Sequence, residues 1–203
     1  APNPGYSGAF VHNVNWNPLS EDLQDIIRGR WPELTVCRRL WVSPRSQDNP
    51  GLMLSRLDAS QPVTVRGILG LETEEIANRP DFQEHFGGLE PDMVLVTEAV
   101  AGALGVGPGD DVLLRGRRLR VGRLLDAVQV SAAKDMDMSS ILPADCTEAT
   151  SSSQPTAATL EGDEEEMESM AQRNWASLPV DQVAVVSADT AKAIGGALYG
   201  LMV

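Results

Sequence analysis

The stretch ALGVGPGDDVLLRGRRLRVGRLL, Ala103–Leu125, places three glycines within five residues and follows them with an alternating run of apolar and charged residues. Glycine-rich segments also occur in phosphate-binding loops, which leave a strand and open a helix so that backbone N–H groups and the helix dipole converge on the phosphate. Here the glycines, Gly105, Gly107 and Gly109, follow a helical pattern and precede a strand pattern. Because this order is reversed, the sequence predicts a turn and not a nucleotide site.

The residues on either side of these glycines carry the clearest local signals in the chain. Met93–Val96 is an apolar strand, Thr97 is a good helix cap, and the small residues that follow predict a short helix ending at Gly105. After the glycines, apolar and polar residues alternate on both sides of Gly116, which is typical of a β-hairpin. The predicted order is therefore strand, helix, turn, hairpin.

A weak internal echo links two parts of the chain. Val94–Val106 matches Ala184–Gly196, and both predict a strand, a capping residue, a short helix and a glycine. The identical pairs are Val96/Val186, Ala101/Ala191, Ala103/Ala193 and Gly105/Gly195. The echo is either a duplicated element or the common pattern of a strand-to-helix turn, and we favour the second.

The first half of the chain predicts a helix followed by strands. In Leu19–Gly29, Ser20 is a candidate cap, and Leu23, Ile26 and Ile27 share one helical face. Strands are predicted at Leu34–Val42 and Pro62–Leu71, and short helical turns broken before Pro80 at Thr73–Gly88. This succession begins an α+β unit.

Lys134–Asn174 differs in composition from the rest of the chain. It contains the low-complexity run SSSQPTAAT and the acidic run LEGDEEEMESM, with no Lys or Arg between Asp135 and Met170. We predict a long, partly disordered surface insertion whose acidic segment forms an exposed helix.

Overall composition excludes several classes of partner. The chain has 203 residues, 16 of them basic and 29 acidic, for a formal charge of −13. Nucleic acids and anionic lipids need clustered Lys and Arg, so neither is a predicted partner. No apolar run approaches the roughly 18 residues of a membrane span. The two cysteines, Cys37 and Cys146, form either one disulfide or two free thiols.

The sequence predicts no metal or cofactor site. DMDMSS from Asp135 begins like a calcium loop, but Ser140 stands where the loop needs Gly and Cys146 where it needs Glu. His12 and His85 each lack a second ligand at metal-binding spacing. For the acidic run that contains Glu164, Glu165, Glu166 and Glu168, a solvated helix face is the ordinary interpretation.

No catalytic residue is predicted either. Ser7 lies in a Pro/Gly-rich end without a nucleophile elbow, and Cys37 lies on a strand, where nothing lowers the pKa of its thiol. For a cluster of five arginines, a solvated or ion-paired hairpin is favoured over an anion-binding site. For the four tryptophans, packing within the fold is favoured over a sugar-binding surface. The cluster is Arg115, Arg117, Arg118, Arg120 and Arg123; the tryptophans are Trp16, Trp31, Trp41 and Trp175.

Three segments together resemble a known family. PDMVLVTEAVAGALGVGPGDDVLLRGRRLRVGRLLDA, the later DQVAVVSADTAKAIGG and the earlier QPVTVRGIL are similar to the extracytoplasmic core domain of MacB/FtsX-type ABC transporter permeases. The resemblance covers about Pro62–Gly196. It implies an α+β ectodomain with a porter-like part, residues 1–88, and a smaller β-rich lobe, residues 89–203, which contains the acidic insertion at about 134–174.

The resemblance also implies a non-catalytic role, without cofactor or metal, in the periplasm at the cell membrane. The ectodomain would couple ATP-driven motion of the membrane helices to export or release of a substrate, or to a partner protein. The implied partners are its own transmembrane helices, a cytoplasmic ATPase, and a periplasmic adaptor or lipoprotein, in a dimeric transporter. The working surface would be a face of the β-rich lobe or the acidic insertion, which the sequence does not rank.

Two alternatives belong to other classes. The order of strand, helix and glycine-containing turn in VTEAVAGALGVGPGDDVLLRGRRLRV also resembles that of double-psi β-barrels. Such a barrel would make the chain a cytoplasmic substrate-recognition module or part of an enzyme. A barrel leaves the N-terminal helix and its β segments unexplained. An independent secreted binding protein is the third interpretation.

Overall fold

In the computed structural model the described residues are 9–12, 18–43, 51–58, 60–135, 139–145 and 176–203, and they form ten strands and six helices. The strands are β1 (Phe10–His12), β2 (Cys37–Val42), β3 (Leu52–Arg56), β4 (Val63–Val65), β5 (Gly67–Leu71), β6 (Met93–Leu95), β7 (Asp111–Leu114), β8 (Arg117–Val121), β9 (Val183–Ser187) and β10 (Ala197–Met202). The helices are α1 (Asp22–Arg30), α2 (Thr73–Asn78), α3 (Pro80–Phe86), α4 (Glu98–Leu104), α5 (Ala127–Ala132) and α6 (Ala188–Ala193).

The described strands join in one mixed sheet, in the order β1-β10-β2-β5-β9-β6-β8-β7-β3-β4. The pairs β5/β9 and β6/β8 are parallel and the other neighbours are antiparallel. β1 and β4 lie at opposite edges of an open sheet. This architecture is mixed α/β, and it does not favour the double-psi barrel alternative.

Two helical layers cover the central strands. Successive strand residues face opposite sides, so Val94 belongs to the apolar cluster of α4 and α6, whereas Leu95 belongs to that of α2, α3 and α5. Helix α6 lies unusually close to the sheet, since a Cβ on Gly70 would come within 2.4 Å of the Ala191 Cβ. No helix in the described part of the chain has the length and apolar character needed to cross a membrane.

The glycine segment that follows α4 is a turn, as predicted. Thr97 caps α4 by accepting a hydrogen bond from the Val100 N–H, and Gly105 ends the helix in the left-handed conformation at φ 66°. The Gly107 N–H donates to the Asp110 carboxylate at 2.8 Å, so an anion of the same chain already occupies this loop. The β7–β8 hairpin turns at Gly116, where φ is 79°.

The two echoed segments become neighbours in the sheet. Val94 of β6 pairs with Val186 of β9, and Ser187 caps α6 as Thr97 caps α4, by accepting from the Thr190 N–H. Both helices contribute to the same apolar cluster. The strand, cap and helix predicted for each segment are confirmed.

Helix α1 begins later than predicted. Its N-cap is Glu21, without a side-chain cap, and Ser20 contributes its backbone oxygen instead. Leu23 and Ile27 face the small cluster around Val36 and Leu201, but Ile26 is 62% exposed. The prediction that all three apolar residues share the buried face is wrong for Ile26, because the helix touches the sheet along a narrow stripe.

The single strand predicted at Pro62–Leu71 is two strands in separate places. β4 lies at the edge of the sheet and β5 near its centre, with Arg66 between them. The Arg66 N–H donates to the Gln182 carbonyl at 2.7 Å, and this contact turns the chain away from β3. A continuous β-rich sequence therefore crosses from one part of the sheet to another.

The sheet also contains strands that the sequence analysis left unassigned, namely β1, β3 and β10. They include the partners of β2 and β7, so the sheet is larger than predicted. It runs continuously across residue 88, because β5 pairs with β9. The division into 1–88 and 89–203 stays a prediction, and most of the predicted insertion, residues 136–138 and 146–174, lies outside the described residues.

Candidate functional site: a buried charge cluster at the base of the insertion

Arg39 of β2 is a fully buried charged residue at the centre of an ionic cluster. Its guanidinium forms ion pairs with Glu75 of α2 and with Asp135, which follows α5. Its carbon atom Cζ lies 4.9 Å from the ring centroid of Phe10 and 5.5 Å from that of Phe82. Two carboxylates and two aromatic rings thus surround one cation, which offsets the large cost of burying a charge.

Arg79, between α2 and α3, extends the cluster. Its Nη1 lies 3.2 Å from Asp135, and its Nη2 lies 2.6 Å from Asp81 and donates to the Lys134 carbonyl at 3.0 Å. Its guanidinium carbon lies 3.6 Å from the Phe82 ring centroid. Asp135 therefore accepts from two arginines that come from different elements of the fold.

The cluster is unbalanced unless one carboxyl group is neutral. It holds two arginines and three carboxyl groups, and burial raises the pKa of Glu75 although Arg39 and Arg79 act to lower it. Asp81 is also partly desolvated, but its hydrogen bond from Arg79 and the charge of Arg79 keep its pKa below the ordinary value. Glu75 Oε2 is buried without a hydrogen-bond partner in the described part of the chain. A neutral Glu75 leaves two cations opposite Asp81 and Asp135.

The cluster lies where the predicted insertion leaves the core. The Asp135 N–H donates to the Ser139 carbonyl at 2.8 Å, beside a bridge between Lys134 and Ser140. We call residues 133–135 and 139–145 the first root of the insertion and residues 176–178 the second root.

The two roots are joined to each other and to the sheet. Ala144 bridges Ser177, and the Asp145 N–H donates to the Ala176 carbonyl at 2.8 Å. Arg66 pairs with Asp145 at 3.0 Å. The described residues therefore fix both ends of the insertion on the core.

Three of the five arginines in the basic cluster are paired with neighbouring groups, in agreement with the predicted ion-paired hairpin. Arg117 pairs with Asp92 at 3.2 Å, Arg118 pairs with Asp111, and Arg115 donates to the Ile194 carbonyl at 2.5 Å. The hydrogen bond from Arg118 lowers the pKa of Asp111. These contacts favour an ion-paired hairpin over an anion site.

Cys37 is a buried free thiol on β2. Burial, followed by the nearby carboxylates Glu75 and Glu72, raises its pKa to about 12. This shift is opposite in direction to the one that activates a cysteine nucleophile. Cys146 lies outside the described residues, as does Ser7.

The other residues considered from sequence have packing roles or lie at the surface. Trp41 is buried and stacks on Tyr199 with ring centroids 5.1 Å apart, which confirms packing for this residue. Trp31 is 47% exposed, beside Arg30. His12 stacks on Phe10 and His85 meets Phe86 edge to face, whereas Trp16 and Trp175 lie outside the described residues.

Among the described residues no group of three or more His, Cys, Asp and Glu side chains is arranged to hold a metal ion. The carboxylate of Asp135, the first residue of the calcium-like motif, forms ion pairs with Arg39 and Arg79. The acidic run at 164–168 lies outside the described residues.

One face of the sheet region formed by β3, β4 and β8 is exposed. Met53, Thr64, Arg118 and Arg120 alternate with buried residues of β3, β4 and β8, and Met53 is 60% exposed. We call these four residues the open face. Their strands bury the opposite side against α4, which agrees with strands that are apolar on one side only.

The sequence analysis missed Arg39, Glu75 and Arg79. A signal for Arg39 exists, since it interrupts an apolar strand, CRRLWV, at a position whose neighbours two residues away are buried. This signal is hard to read because Arg38 and Arg39 are adjacent and of the same type. Arg38 is the partly exposed one of the two, and it forms an ion pair with Glu72 at 2.5 Å. The partners come from α2, the α2–α3 junction and the residues after α5, and no local pattern connects them.

Comparison with known proteins gives a weak likeness in structure alone. No family model matches the chain, and no curated protein matches it. The periplasmic region of MacB from Actinobacillus actinomycetemcomitans is similar in structure, with a TM-score of 0.42 and 11% sequence identity. The match covers 95% of this chain and 64% of the MacB chain, so the present chain spans less than two thirds of it. At this TM-score the likeness does not assign the family.

Proposed function

We propose that the chain is the extracytoplasmic domain of an ABC transporter permease of MacB/FtsX type. In this role it carries out no catalysis and transmits the motion of membrane helices to a substrate or a partner protein. Its partners are its own membrane helices, a cytoplasmic ATPase, and an adaptor or lipoprotein on the periplasmic side, in a dimeric transporter.

The observation that carries the proposal is the pairing of β1 with the end of β10. Phe10 lies opposite Met202, and Ala9 and Val203 exchange two backbone hydrogen bonds of 2.9 Å each. The backbone at Ala9 and the backbone at Val203 therefore lie side by side at one end of one sheet edge. A domain inserted between two membrane helices needs its two connections at one place, and this arrangement supplies it.

The location of the family-like segments supports the same proposal. QPVTVRGIL contributes to β4 and β5, PDMVLVTEAVAGALGVGPGDDVLLRGRRLRVGRLLDA contributes β6–β8, and DQVAVVSADTAKAIGG contributes β9. Strands β5, β9, β6, β8 and β7 are consecutive neighbours in the sheet. The resemblance thus falls on one continuous block of five strands and on β4, which β3 separates from that block.

Within this proposal the open face is the surface that meets a partner protein. It combines an exposed apolar side chain, Met53 of β3, with two exposed arginines of β8, Arg118 and Arg120. Interfaces are enriched in Met and Arg relative to the rest of a protein surface. The open face lies on the part of the sheet farthest from β1 and β10, in line with contacts made away from the membrane connections.

The proposal is tested by reading the gene on both sides of the segment that encodes Ala1–Val203. The expected result is one span of about 20 apolar residues before the segment and further spans after it. A reading frame that is polar on both sides would contradict the proposal.

A further inference from the structure

Edge strand β1 is attached to the core through the ring of Phe10. The strand has β10 as its neighbour in the sheet, and its ring lies over Gly200. A Cβ on Gly200 would come within 2.3 Å of the Phe10 ring, so only glycine leaves room for the ring in this position. Gly200 pairs in register with Arg39, and the ring consequently reaches the Arg39 guanidinium at 4.9 Å.

The same guanidinium contacts the first root of the insertion. Arg39 Nη1 donates to Asp135, and Asp135 also accepts from Arg79. All three charged side chains are at least nine-tenths buried, so solvent cannot replace a lost partner without local opening. One buried group therefore joins β1 to the start of the insertion.

We infer that Arg39 couples the two regions, so that loosening of β1 loosens the first root of the insertion and the reverse. The guanidinium lies between Phe10 and Phe82 and has few alternative positions. Loss of the Phe10 ring opens a space beside the cation and lets it leave Asp135. Loss of the Asp135 charge removes the contact that holds the cation against Phe10. Coupling free energies are reciprocal, so both directions have the same size.

This inference goes beyond the proposed function and does not depend on it. It concerns contacts within the described residues, which exist whether or not the chain belongs to a transporter. In a permease it would connect the strand nearest the membrane connections to the insertion.

The forward test is hydrogen–deuterium exchange on the whole chain, comparing Phe10→Ala with Val11→Ala. Val11 is a neighbour on the same strand, is 36% exposed and pairs with Leu201, so its truncation leaves β1 in the sheet and the Phe10 ring against Arg39. We expect Phe10→Ala to accelerate exchange of the Asp135 amide at least about fivefold, the lower end of known couplings, and Val11→Ala to leave it unchanged. An Asp135 amide that stays protected in Phe10→Ala while β1 exchanges faster would overturn the inference.

Gly200→Ala gives the same test without removing the ring. The added methyl group displaces Phe10 while every charged residue stays in place, and we expect the same acceleration at Asp135. Uniform acceleration that includes β6 and β9 would indicate global destabilisation and would also overturn the inference.

The reverse test compares Asp135→Asn with Asp111→Asn, whose partner Arg118 lies at the surface. We expect Asp135→Asn to accelerate exchange of the Val203 amide, which donates to the Ala9 carbonyl, and Asp111→Asn to leave it unchanged. Equal protection of the Val203 amide in both variants would show that no coupling passes through Arg39.

Discussion

The Arg39 guanidinium contacts the Glu75 carboxyl group, and neither side chain has any solvent exposure. Burying these two groups costs much desolvation free energy, and the contacts with Asp135 and with the rings of Phe10 and Phe82 offset that cost. Substitutions of the two residues should therefore change the free energy of unfolding by different amounts.

The two partners of this pair are expected to differ in their effect on stability. Arg39→Met leaves buried carboxyl groups without their cation and should lower the free energy of unfolding by about 3–5 kcal/mol. Glu75→Gln keeps the shape and a hydrogen-bonding oxygen and should change it by about 1 kcal/mol or less. Urea denaturation at pH 7 measures both values, and equal losses would contradict this account of the cluster.

Glu75 should also make stability depend on pH. Burial raises its pKa in the folded state above the unfolded value, so the folded state binds the proton more tightly. The stability that Glu75 contributes is fully present below the unfolded pKa and is lost as the pH rises through the folded pKa. Glu75→Gln lacks this loss, so the free energy of unfolding of the variant should rise relative to the natural chain between acidic and neutral pH.

The control for this pH series is Glu84→Gln, which changes an exposed glutamate on α3. Its stability should follow that of the natural chain at every pH. Because Asp81 is present in all three proteins, its own titration in acid cancels in the comparison. Parallel curves for Glu75→Gln and the natural chain would show that Glu75 is not desolvated.

Cys37 should be chemically inert in the folded chain. With its pKa raised to about 12, only about one thiol in ten thousand is ionised at pH 8, and the side chain is buried as well. In a Cys146→Ser background, a disulfide reagent such as DTNB should react with Cys37 only when urea unfolds the protein. Reaction of the native chain at the rate of a free cysteine would contradict the placement of this strand.

Gly70 and Gly102 should respond oppositely to replacement by alanine. At Gly70 the added Cβ would lie 2.4 Å from the Ala191 Cβ, so Gly70→Ala should destabilise the chain by about 1–3 kcal/mol. At Gly102, within α4, nothing lies within 4 Å, and Gly102→Ala should stabilise the helix by up to about 1 kcal/mol. Thermal unfolding of the two variants gives the signs, and a stabilising Gly70→Ala would contradict the close packing of α6 on β5.

The sequence predicted the centre of the fold because its signals there are local. Thr97, Gly105 and Gly116 each act within a few residues of their own position, as a cap, a helix end and a turn. Strands β1 and β3 were missed because they lie next to Pro- and Asn-rich segments, which are typical of loops. Their positions depend on partners far along the chain, such as Met202 for Phe10.

The candidate site could not be predicted for a related reason. Arg39, Arg79 and Asp135 are ordinary surface residue types, and only the fold brings them together. The sequence placed Asp135 in a weak calcium-like motif, whereas its actual partners are arginines from β2 and the α2–α3 junction. Buried charge is a property of tertiary packing and has no fixed spacing in sequence.

The location of this domain relative to the membrane is the central claim, and thiol labelling in intact cells tests it most directly. Val128 is 79% exposed on α5, so Val128→Cys in a Cys146→Ser background adds one accessible thiol to this domain. The same background without Val128→Cys is the control, since Cys37 is buried. We predict that a maleimide unable to cross the inner membrane labels the Val128→Cys protein equally before and after permeabilisation. Labelling that appears only after permeabilisation would place the domain in the cytoplasm and contradict the account.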